Sequence, residues 1–191
     1  MAALDVTAQL ERFERLCRER GALNIEQARP GIKANRIRSL EGRYDLELPE
    51  DAKAVWVWHD GADMSDVRRA GCFWAHHGDF LDLESSIRDA KTRLDIRNSG
   101  DVFRRAGSMW VTLAKATVAS VIDVTRAGVG DSPVLISDAS SAIEDWPVVT
   151  LAEQIGLWNW AIENEVWYLN DDRQWRRRED KAMGWPERAL V

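Results

Sequence analysis

The chain has 191 residues, 45% of them hydrophobic and 30% charged, which sets an expectation of one domain over 1–191 and excludes a disordered tail or a disulfide miniprotein. Twenty-six basic against 32 acidic side chains give a net charge of −6, which disfavours a generic nucleic-acid coat. No run free of Asp, Glu, Lys and Arg exceeds nine residues, against the ~20 that a bilayer span requires.

The first predicted helix covers 5–20, with Val6, Leu10, Phe13 and Cys17 on one stripe, Asp5 as cap and Gly21 just beyond the end. Pro30-Gly31-Ile32 reads as a turn. A second helix is predicted over about 33–42, with Ile37, Leu40 and Tyr44 inward and Gly42 ending it. Leu48-Pro49-Glu50-Asp51 then starts a third, because proline pre-sets φ and the two acids meet the positive end of the helix dipole. Its stripe is Ala52, Val55, Trp56 and His59, and it is expected to stop at Gly61.

Residues 71–80 are expected to hold a strand or an irregular loop around Phe73 and Trp74, and a fourth helix follows over about 82–96 with Leu83, Ile87, Ala90 and Leu94 aligned. Asn98-Ser99-Gly100-Asp101 reads as the loop that ends it. The period then changes. Trp110 to Leu113 and Val118 to Thr125 read as strands, Gly128 to Pro133 as a hairpin turn, and Val134-Leu135-Ile136 as the return strand. Trp146-Pro147-Val148-Val149 suits a short strand, at an edge because of its proline, and Thr150-Leu151-Ala152-Glu153 is a capping box opening a helix to about 165, with Leu151, Ile155, Trp158 and Ile162 on its stripe. Helices first, strands in the middle and a closing helix predict an α+β fold with a mostly antiparallel sheet.

Signatures of chemistry are sparse. His59, His76 and His77 with Asp60 and Asp79 are the only His/carboxylate groupings, and adjacent histidines point apart on any regular element. No metal site and no cofactor are therefore expected, and a hydrolase built on these histidines is a remote alternative. Neither a nucleophile elbow nor a phosphate-cradling glycine loop occurs. Cys17 and Cys72, the only cysteines, suit reduced thiols, and Met1-Ala2-Ala3-Leu4-Asp5 lacks a secretory leader's basic and apolar regions. A cytoplasmic protein without a membrane segment is expected.

Ten Trp outnumber four Phe and two Tyr; such an excess serves either as bulky core filler or as interface anchors. Arg173-Gln174-Trp175-Arg176-Arg177-Arg178 superficially suits single-stranded nucleic acid, yet over 171–181 five bases face four acids. That balance points to a solvated segment with Trp175 and Trp185 folded back on the core. The opposite bias is larger. From 41 to 66 stand Glu41, Asp45, Glu47, Glu50, Asp51, Asp60, Asp63 and Asp66 against Arg43 and Lys53. If these acids share a surface, they form a negative patch able to steer a basic partner.

Pro30-Gly31-Ile32, Ile37, Leu40-Glu41, Leu48-Pro49-Glu50-Asp51 and His59-Asp60-Gly61 resemble the Smi/Knr-type domain of the SUKH superfamily. Leu113-Ala114-Lys115, Val121-Ile122-Asp123-Val124, Val134 and the helix from Thr150 with Trp158 are similar to its later part. The resemblance covers about 25–61 and 110–167, leaving 62–109 as a divergent insertion and 170–191 as a C-terminal extension. It implies an α+β fold without catalytic residues, in which Leu48, Pro49 and Gly61 are structural positions. It also implies an immunity protein that binds and blocks a toxin domain encoded nearby, or an intracellular adaptor of the same fold. The residues expected to meet the partner, a nuclease being one candidate, are Asp45, Glu47, Glu50, Asp51, Asp60, Asp63 and Asp66, with Trp56 and Trp58 as aromatic anchors. No direct contact with nucleic acid is expected.

Overall fold

A computed structural model describes residues 5–63, 73–74, 78–98, 110–115, 118–124, 132–138 and 148–181. The fold is mixed α+β, with antiparallel sheets of two, four and two strands. Helix α1 (Val6–Arg20) is capped by the Asp5 carboxylate on the Thr7 N–H and ends on Gly21 at φ +74°. Its stripe, Val6, Leu10, Phe13 and Cys17, is buried as the periodicity predicts. A 3₁₀ turn (Asn24–Gln27) leads to strand β1 (Ala28–Pro30) and then helix α2 (Ala34–Tyr44), whose buried residues are Ile37 and Leu40. Gly42 does not end this helix; it lies inside it, and Asp45 at φ 51° makes the left-handed exit instead. Asp accepts that conformation more readily than most residues.

Helix α3 (Glu50–Trp58) starts after Pro49, with Glu50 and Asp51 in its first turn. It stops earlier than the stripe suggests: His59 turns extended, and strand β2 (His59–Ala62) pairs antiparallel with β1. Two glycines make this corner possible. A Cβ on Gly31 would lie 1.8 Å from the Val57 carbonyl oxygen, and Gly61, at φ +77°, would bring one within 2.5 Å of the Asp82 nitrogen. The Ile32 N–H donates to Trp56 O at 3.0 Å, stitching the segment after β1 to the end of α3.

Phe73 and Trp74 form a buried turn, and Asp79 bridges to Lys115. Helix α4 (Leu83–Asn98) follows, its amino end held by Asp60 on the Leu83 N–H and Asp82 on the Ser85 N–H. Strands β3 (Trp110–Ala114), β4 (Val118–Asp123), β5 (Pro133–Asp138) and β6 (Val148–Thr150) form the four-stranded sheet in chain order, antiparallel throughout, with β6 at an edge. The expected loop after Asn98 and the turn before Ser132 lie outside the described residues.

Helix α5 (Leu151–Glu163) opens on the capping box read from the sequence: Thr150 Oγ1 accepts from the Glu153 N–H, and the Glu153 carboxylate accepts from the Thr150 N–H. The chain then forms a hairpin of β7 (Trp167–Leu169) and β8 (Trp175–Arg177), with a 3₁₀ turn at Glu179–Lys181. The segment read as solvated is largely exposed or half-buried and forms this hairpin, and Trp175 folds back into the core cluster as expected; Trp185 lies outside the described residues.

Helix α1 packs between α3 and α5, and α4 packs on β3. The buried side chains of these elements form one contiguous cluster. Its centre is aromatic: Trp74 stacks on Trp158 at 4.7 Å, and Phe13, Phe73 and Phe80 lie around Trp74 at 4.9–5.2 Å between ring centroids. Such tilted and edge contacts add to the burial these rings bring. Trp56, Trp74 and Trp158 are completely buried, so much of the tryptophan excess is core filler. Cys17 lies in the same core, where burial pushes its thiol up to about 12, far from reactive. Among the described residues no helix is long and apolar enough to cross a membrane.

Candidate functional site

The acids expected to form one surface separate by what their carboxylates touch. Glu41, half-buried on α2, accepts from the Leu48 N–H at 2.9 Å and lies 3.3 Å from Lys53 Nζ, closing the loop between α2 and α3. Asp51 accepts from the Ser132 N–H at 2.7 Å and from Ser132 Oγ at 2.6 Å, tying the start of α3 to the entry of β5. Because Ser132 O in turn accepts from the Leu151 N–H at 2.8 Å, one serine joins α3, β5 and α5. Asp60 is half-buried beneath the first turn of α4, and its burial holds the carboxyl above the ordinary carboxylate range despite the hydrogen bond from Leu83. The carboxylates of Asp51 and Asp60, two of the residues expected to meet the partner, are thus engaged within the fold.

Asp45, Glu47 and Glu50 are exposed, and the Glu50 side chain retains 89% of its accessible surface. Asp63 is exposed too, while Asp66 lies outside the described residues. Between α2 and α3 runs an open groove of about 590 Å³ lined by Arg38, Glu41, Gly42, Asp45, Leu46, Glu47 and Lys53. Glu50 stands beside it, its carboxylate 2.7 Å from Lys53 Nζ. That contact and Glu41 hold the Lys53 ammonium above its ordinary range, so it stays paired inside the groove. Space is free above Gly42, where an added Cβ meets no atom within 4 Å. On α3, Glu50, Lys53 and Val57 follow at i, i+3 and i+7 along one outward stripe. Val57 is the one large hydrophobic exposed among the described residues, at 52%.

The two tryptophans expected as anchors are not at this surface. Trp56 is completely buried, and its Nε1–H donates to Leu81 O at 3.2 Å. Trp58 is half-buried; its Nε1–H donates to the Glu14 carboxylate at 2.9 Å and its ring stacks on Phe80. The reason is helical spacing: Ala52, Val55 and Trp56 form the inner face of α3, so only the alternate stripe meets solvent. Leu48, Pro49 and Gly61, the positions that the resemblance gives as structural, are buried.

No protein-family model matches the chain, and no curated protein matches it. What the groove can do follows from its own chemistry. It offers carboxylates to a cationic side chain, an open glycine floor for close approach, and Leu46 as an apolar contact, while Val57 is exposed farther along α3. Of the histidine grouping, His59 alone among the three histidines is described. His59 Nδ1 donates to Arg29 O at 2.9 Å, its Nε2 lies 3.4 Å from Glu14, and His76 and His77 lie outside the described residues. Among the described residues no three His, Cys, Asp or Glu side chains are grouped as a metal would need.

Proposed function

We propose that this chain is a non-enzymatic binding module of the SUKH type, an immunity protein that neutralises a toxin domain by occupying its basic active-site region. The observation that carries this reading is the set of exposed carboxylates, Asp45, Glu47 and Glu50, along a groove with an open glycine floor. The motif resemblance over 25–61 and 110–167 supports it, because Glu41 of its Leu40-Glu41 lines the groove and Glu50 of its Leu48-Pro49-Glu50-Asp51 stands beside it. In this reading the acids take the place of substrate phosphate and raise the association rate by steering, while Leu46 and Val57 slow release. The chain brings no cofactor and no chemistry of its own, and it acts in the cytoplasm on a protein rather than on nucleic acid.

Co-expression with the product of a neighbouring toxin gene tests this. Rescue of growth together with a one-to-one complex is expected. A harmless neighbour and no complex would replace the immunity reading with that of an intracellular adaptor.

A further inference from the structure

The other flank of α2 is basic. Arg36 and Arg43, seven residues apart, reach the same carboxylate on α4: Arg36 Nη2 lies 2.7 Å from Glu84 Oε2, and Arg43 Nη1 lies 3.0 Å from Glu84 Oε1. Arg88 adds a third guanidinium, 2.9 Å from Glu84 Oε1, while its Nε–H donates to the Tyr44 hydroxyl at 3.0 Å. That hydroxyl donates to Glu84 Oε1 at 3.1 Å, and Lys91 Nζ donates to Tyr44 O while lying 5.1 Å from the ring centroid. Three guanidinium groups therefore surround one carboxylate, with the Lys91 ammonium held beside them on Tyr44. Glu84 lies at the bottom with 20% of its side chain exposed, whereas Arg36, Arg43 and Arg88 rise around it at 45, 52 and 67%.

Glu84, with Asp60 interacting more distantly with Arg36, leaves part of this charge uncompensated, and each guanidinium has five N–H donors of which Glu84 takes only part. The arginines are also held in place, so a second anion meets fixed donors rather than free side chains. The hydrogen bond from Tyr44, with the surrounding arginines, keeps the Glu84 carboxyl below its ordinary range, so the frame persists well into acid.

We propose that Arg36, Arg43 and Arg88 form a second docking surface, which takes an acidic peptide segment of a protein partner. Charge decides the class. A helix is only about 10 Å across, so the acidic groove on the opposite flank lies about one Debye length away. A nucleic acid long enough to cover the arginines would bring further phosphates against Asp45, Glu47 and Glu50. A short run of carboxylates on a protein surface meets the cations alone. This surface does not depend on the toxin reading, since any partner with an acidic segment would use it.

Titration of the isotope-labelled full chain with a hexaglutamate peptide, read by amide shifts, tests the inference. Shifts are expected over 36–44 and 84–92, with affinity falling about tenfold between about 50 mM and about 300 mM NaCl. Arg36→Glu with Arg43→Glu should abolish them, while Arg15→Glu with Arg176→Glu, the same change in net charge elsewhere, should not. Glu84→Gln keeps an acceptor but removes the competing charge, and should tighten binding several-fold. Absence of shifts in these segments, equal loss in both double variants, weaker binding to Glu84→Gln, or tighter binding of hexathymidylate than of the peptide would each overturn the proposal.

Discussion

Gly31, Gly42 and Gly61 look alike in the sequence and do three different things. Gly31 abuts the carbonyls that end α3, and Gly61 combines a left-handed φ with close approach to Leu81 and Asp82. A Cβ on Gly42 would meet no atom within 4 Å, and the residue lies within the last turn of α2. Gly31→Ala should therefore destabilise by about 3 kcal/mol, because backbone must move to admit the methyl. Gly42→Ala should instead stabilise by about 0.5–1 kcal/mol by restricting the unfolded chain. Urea unfolding of the two variants checks both signs. The sequence reading of Gly42 as a helix stop failed because a glycine at a plausible end looks the same whether or not the chain turns there. The turn fell to Asp45, whose hold on the exit includes the Leu46 N–H to Glu41 O bond at 3.1 Å, visible only in the folded backbone.

At the scale of elements, α1, the start of α3 and the capping box of α5 were legible because their signals are local: a stripe, a proline and a Thr-x-x-Glu pair. The β1–β2 pair and the β7–β8 hairpin were not. Strands of three or four residues show no usable alternation, and β1 finds its partner some thirty residues away, with Ala28 opposite Ala62. The same distance hid what Asp51 does. It looks like an ordinary first-turn acid, yet it accepts two hydrogen bonds from Ser132, 81 residues on. Asp51→Ala should cost about 2–3 kcal/mol, since it leaves the Ser132 N–H without its charged acceptor. Ser132→Ala, which keeps the N–H bond, should cost clearly less. Thermal unfolding of both variants compares them.

Across the whole molecule, the net charge of −6 conceals a division. Acids such as Glu41, Asp51, Asp60 and Glu84 are tied to backbone, serine or arginine, whereas Asp45, Glu47 and Glu50 face outward. The sequence made the 41–66 excess visible, but the sorting of its members depends on what lies opposite each side chain. Charge reversal of Asp51 or Asp60 would therefore damage the fold and say nothing about docking. Glu47→Lys and Glu50→Lys combined with Asp45→Asn, which keeps a residue suited to the left-handed exit of α2, avoid that confusion, since exposed substitutions that respect the backbone usually change stability by about 0.5 kcal/mol or less. The most direct measurement is the association rate of the neighbour-encoded toxin domain with the chain and with this triple variant, at low and high salt. The account predicts a rate at least about tenfold slower for the variant and a flattened salt dependence, with the melting temperature preserved. An unchanged association rate in a properly folded variant would contradict it.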